Sequence, residues 1–200
     1  MKAKVLALTL NLLLITLALH APANAQVEKA TFHLDAFFCG NECAWAVKRV
    51  MSAHDELIAH VDVDKNEKAA FVYPDARVSF DLYQLQKELR NAEQAPKRIS
   101  VIVTGEVTDY AKVYSGAVLT PQKVLRIKET GQRFVLFGKH LSNLLDAVET
   151  GGSVTVSGTI VGFREKHLPV LVVEDFTPNE RNLVKNEETG GTQTAAKSKV

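Results

Sequence analysis

The sequence predicts an α+β fold in two parts, and two observations carry the prediction. Residues 30–91 read strand, helix, strand, strand, helix, with the apolar spacing alternating between the strand and helix periods. After Ala95-Pro96 the pattern becomes five short strands, set off by glycines and charged turns, with one helix between the third and fourth. That is the order of an OB-type β-barrel.

Each element has its own signal. Ala30–Leu34 alternates as a strand, and Ala44–Met51 places Val47, Val50 and Met51 at helical spacing. Leu57–Asp64 and Ala69–Tyr73 are β-rich runs around the polar turn Asp64-Lys65-Asn66-Glu67-Lys68, which makes a hairpin. Leu82, Leu85 and Leu89 mark a second helix, with Ser79 expected to cap it. The barrel strands are read at Ile99–Val107, Lys123–Glu129, Arg133–Phe137, Val154–Phe163 and Leu168–Phe176, with Leu141–Val148 as the helix. The run Arg98–Val107 is both the natural last strand of the first part and the natural first strand of the second. One strand is not expected to complete both, so either a short strand around Ala95–Ile99 closes the first part or the first part is truncated.

The chain begins Met1-Lys2-Ala3-Lys4, continues with an apolar run from Val5 to Leu19 and reaches Ala23-Asn24-Ala25 before Gln26. A basic start, a short apolar segment and a small-residue end describe a cleavable export signal over residues 1–25. The apolar run is too short for a membrane span, so no stable membrane insertion is expected, and the simple form implies a bacterial periplasmic protein. Cutting there removes Lys2 and Lys4 from 24 Lys and Arg, which leaves a near-neutral balance against 23 Asp and Glu. Such a balance gives no general case for nucleic acid as a partner. Residues 178–200 are poor in large apolar side chains and read as a flexible tail.

The two cysteines, Cys39 and Cys43, stand where strand gives way to helix. Thiolates so placed can bind a soft cation such as Cu(I), Zn(II) or Hg(II), or can form a redox couple. An oxidising compartment would tend to pair them. A bridge between cysteines four apart closes only a small loop, which makes a structural staple the weaker explanation. No Gly-x-Ser-x-Gly, His-Glu-x-x-His or phosphate loop is present. The chain is therefore read as non-enzymatic.

Around these cysteines the sequence resembles the heavy-metal-associated domain, the module of copper chaperones and periplasmic mercury-binding proteins. Phe32 and Leu34 fill the strand positions, and Ala36, Phe37 and Cys39 stand where the family has Gly, Met and its first Cys. His60-Val61-Asp62-Val63, Ala69–Asp75 and Val78-Ser79 follow in their expected places. The resemblance spans residues 29–92 and implies a ferredoxin-like βαββαβ domain with Cys39 and Cys43 as the ligands of one soft metal, Cu(I) first. It departs from the family at the site, where Gly40-Asn41-Glu42 puts three residues between the cysteines instead of two.

His33, on the strand leading to the cysteines, is a candidate third ligand, although an exposed strand histidine is the plainer reading. Glu42 reads as a carboxylate at a helix start, and His54, His60, His140 and His167 are assigned no ligand role. The resulting expectation is a ferredoxin-like domain over residues 29–95, an OB-like barrel over 97–177, and a periplasmic metal-binding function. Its partners would be a metal ion and a protein for metal transfer. The rival expectation is a binding module with a disulfide-bonded or redox-active Cys39 and Cys43, whose barrel contacts a protein or an envelope ligand.

Overall fold

A computed structural model of the chain describes residues 26–34, 41–111, 113–114, 117–118, 121–162 and 167–179. The expected export signal, Cys39 with its neighbours, and the chain beyond Asn179 lie outside the described residues. The elements of the first part are β1 (Gln26–Leu34), α1 (Asn41–Ser52), β2 (Ile58–Asp64), β3 (Ala69–Pro74), α2 (Leu82–Asn91) and β4 (Pro96–Tyr110). The small hairpin β5 (Val113–Tyr114) and β6 (Ala117–Val118) follows. Then come β7 (Gln122–Arg126), β8 (Arg133–Phe137), α3 (Leu141–Ala147), β9 (Ser153–Val161) and β10 (Val170–Pro178).

Local chemistry accounts for most boundaries. α1 buries Cys43, Val47 and Met51, one side chain per turn along a single stripe. α2 is capped by Asp81 and not by Ser79, because the Asp81 carboxylate accepts the Gln84 backbone N–H at 3.0 Å. Leu82, Leu85 and Leu89 form its buried face. β1 begins several residues before its alternating core because Gln26 and Val27 pair with Thr104 and Val103.

One sheet of eight strands runs in the order β2-β3-β1-β4-β7-β8-β10-β9, and a further β4–β9 pairing closes its far end. The strands β4, β7, β8, β10 and β9 therefore form a closed barrel of five, with β8 and β10 parallel and its other pairs antiparallel. This connectivity, with α3 between its third and fourth strands, is that of an OB-type barrel. At the other end, β2, β3, β1 and β4 are antiparallel throughout.

β4 serves both parts because a strand has two edges. Residues 96–104 pair with β1 along one edge while residues 99–106 pair with β9 along the other. Where β1 ends, residues 106–110 of β4 pair with β7. The side chains of Ile99, Val101 and Val103 point inward and are buried. They join Ala30, Phe32 and Val72 of the first part and Val154, Val156 and Ile160 of the barrel in one apolar cluster. β2 forms the open edge of the sheet, with a register shift between Ile58 and His60.

Close backbone approach fixes two barrel glycines. A Cβ on Gly105 would stand 2.7 Å from the Arg126 carbonyl oxygen, and one on Gly158 would overlap the Val172 carbonyl. The Gly158→Ala variant is expected to lose about 1–3 kcal/mol, the usual cost of overpacking a tight core. A lower urea midpoint at an unchanged slope would confirm it, whereas an unchanged midpoint would contradict the close packing. Because β4 belongs to both parts, far-UV circular dichroism and Trp45 fluorescence are expected to report one coincident unfolding transition.

Candidate binding surfaces

Cys43 is 3% exposed on the inner stripe of α1 and is disulfide-bonded. The chain holds only one other cysteine, Cys39, which lies outside the described residues. A sulfur in a disulfide has no thiolate charge to offer Cu(I), Zn(II) or Hg(II), so Cys43 in this state is not a donor, while Cys39, the other expected ligand, lies outside the described residues. Among the described residues no group of three or more His, Cys, Asp or Glu side chains could hold a metal. Periplasmic metal binding, and a metal ion with a transfer protein as partners, are therefore withdrawn.

The expected third ligand is engaged elsewhere. His33 sits on the outer face of β1 opposite Arg98, whose Nη2 lies 3.3 Å from the imidazole Nε2, with Ser100 Oγ at 3.4 Å. A guanidinium can only donate, so Nε2 must be the unprotonated acceptor. Burial, and next the charge of Arg98, hold the His33 pKa below its ordinary value of 6.5. Glu42 is exposed in the first turn of α1, and the neighbouring Asn41 accepts a hydrogen bond from Lys65. His54 bonds Glu88 of α2 at 2.5 Å, and this bond is the main cause that holds the Glu88 carboxyl below its ordinary range. His140 is the N-cap residue of α3, and His167 is exposed.

Two outward faces stand out. On the first part, the buried residues of α1 and α2 share a core with Ala30, Phe32 and Val72, so both helices cover one side of the sheet. The alternate residues of β1, β2 and β3 face the other way. Tyr73 is 37% exposed there, with the half-buried Phe71 two residues before it. The Lys29 ammonium lies 4.3 Å from the Phe71 ring centre and 5.9 Å from that of Tyr73. The His60 ring lies 5.8 Å from Tyr73, and Asp62 pairs in register with Phe71. This is an aromatic pair with a cation over it, nearer Phe71, flanked by an imidazole and a carboxylate.

The second face lies on the barrel. Phe137 is 63% exposed and Val161 is 41% exposed. Register places Val170 beside both Val135 and Val161, and Val172 beside Phe137. At one end of this apolar band stand Arg126 and Arg133, paired across β7 and β8, with the Arg133 guanidinium 5.2 Å from the Tyr110 ring centre. At the other end Glu174 accepts a hydrogen bond from Thr159, with Asp175 next to it.

Comparison with known proteins adds little to these surfaces. No family model matches the chain, and no curated protein matches it. The crystal structure of the S. pombe Stn1–Ten1 complex aligns with 48% of this chain and 70% of its own, at 17% identity and a TM-score of 0.29. That similarity is too low to carry a fold or a function across. The resemblance to the heavy-metal-associated family is not sustained, because no family model supports it and the described residues form no metal site. The near-neutral total charge hides the local Arg126 and Arg133 pair, so it does not serve to exclude nucleic acid either. No described helix is long and apolar enough to cross a membrane.

His33 provides a test of the outer face. Its folded pKa is depressed, so its contribution to stability is full above the unfolded value of 6.5 and is lost as pH falls through the folded pKa. Urea denaturation between pH 7.5 and pH 5 is expected to show a smaller acid loss in His33→Gln than in the unmodified protein. Equal losses in the two would contradict the assignment. Glu88→Gln is likewise expected to flatten the loss below pH 4.5, because the depressed Glu88 carboxyl stabilises the fold only while ionised.

Proposed function

We propose that the chain is an exported, non-catalytic binding protein that takes a carboxylate-bearing oligosaccharide on the open sheet face of its first part. In this reading residues 29–95 supply the first five elements of a ferredoxin-like βαββαβ unit, and β4, its last strand, also opens an OB-type barrel over residues 97–177. The β2-β3-β1-β4 order and the antiparallel pairing of that sheet support the first assignment. The start of the sequence supports export.

The observation that carries the ligand class is the placement of Lys29 over the Phe71 ring and within reach of Tyr73, on a face away from both helices. The exposed Tyr73 ring provides flat apolar area against the C–H side of a pyranose. Lys29 supplies a donor and a positive charge for a sugar carboxylate, and Asp62 accepts from hydroxyl groups. A few fixed polar groups around aromatic area are what orient a small ligand.

Titration calorimetry with peptidoglycan-derived disaccharides that carry the lactyl carboxylate tests this reading, with neutral chitohexaose and an oligothymidylate alongside. The acidic sugar is expected to bind best, and Tyr73→Ala and Lys29→Ala are each expected to weaken it by about tenfold, the loss of about 1.4 kcal/mol of contact. Preference for the oligothymidylate, absence of saccharide binding at millimolar concentration, or undiminished binding in Tyr73→Ala would overturn it.

A further inference from the structure

The outer face of the barrel carries a band of mixed character. Along β8 the outward side chains run Arg133, Val135, Phe137, and along the parallel strand β10 they run Val170, Val172, Glu174. Val135 lies beside Val170 and Phe137 beside Val172. The band is therefore basic at one end, apolar in the middle and acidic at the other. Arg126 doubles the basic end, since it pairs in register with Arg133. Its ion pair to Glu106 is loose, at 3.9 Å. Asp175, which is also exposed, doubles the acidic end.

A half-turn about an axis through the apolar middle lays the basic end of one copy over the acidic end of the other, twice. Such self-complementarity is what an isologous two-fold interface requires. We infer that the chain forms a two-fold dimer through the outer face of β8, β10 and β9. Phe137 and Val161 are its apolar centre, and Arg133 of each copy is set against Glu174 of the other. The charges fix orientation and discriminate against other pairings, while the apolar centre supplies most of the attraction.

Sedimentation equilibrium of the purified protein beginning at Gln26 decides the matter. Unmodified protein is expected to give twice the chain mass at tens of micromolar. Phe137→Asp is expected to give the single-chain mass with an unchanged far-UV spectrum, because that side chain lies mostly outside the core. Arg133→Glu is expected to weaken association by tenfold or more, and Arg133→Glu combined with Glu174→Arg to restore it. A monomer at 200 μM in the unmodified protein would overturn the inference. So would a dimer that survives Phe137→Asp, or charge reversal without rescue in the double variant.

Discussion

The rest of the structure depends on the two-sided pairing of β4. Its 15 residues use one edge first for β1 and then for β7, and use the opposite edge for β9. The inward residues Ile99, Val101 and Val103 thus belong to two packing problems at once. A slip of one residue would turn them outward in both. Register in the first sheet and closure of the barrel are therefore one constraint, which also explains why the fold has no linker between its parts.

This constraint sets which surfaces remain for binding. Both helices of the first part lie on the core side, which leaves the opposite face of β1, β2 and β3 for Lys29, Phe71 and Tyr73. Closure of the barrel turns Ile160 and Leu171 inward and so presents their neighbours Val161, Val170 and Val172 outward. Cys43, in contrast, faces the interior: it shares a buried stripe with Val47 and Met51, and its sulfur is already bonded.

Much of the element order was legible because apolar periodicity records burial directly. The helical spacing of Val47 and Met51, the Leu82, Leu85 and Leu89 stripe, and the alternation through Val154 and Val156 each correspond to buried faces. The double use of β4 was not legible, since strand pairing is made by main-chain groups that every residue possesses. Cys39 and Cys43 were read by their donor type, and residue type does not record whether a sulfur is bonded. The two outward faces did leave a signal. Phe71 and Tyr73 occupy the parity opposite to Ala70 and Val72, and Phe137 the parity opposite to Phe134 and Leu136. Aromatic residues on the solvent parity of a strand are the pattern that donor-centred reading of the cysteines passed over.

The open edge at β2 has a further consequence. An ordinary open sheet ends in two exposed strands, so strand addition at both ends can continue without limit. Here the far end of the sheet returns to β4, and among the described strands of that sheet β2 alone is left as an edge. Growth by strand addition therefore stops at two chains, because the second chain brings only the edge already used. The topology itself limits strand addition to one pairing, independently of the charges and the register shift that β2 carries.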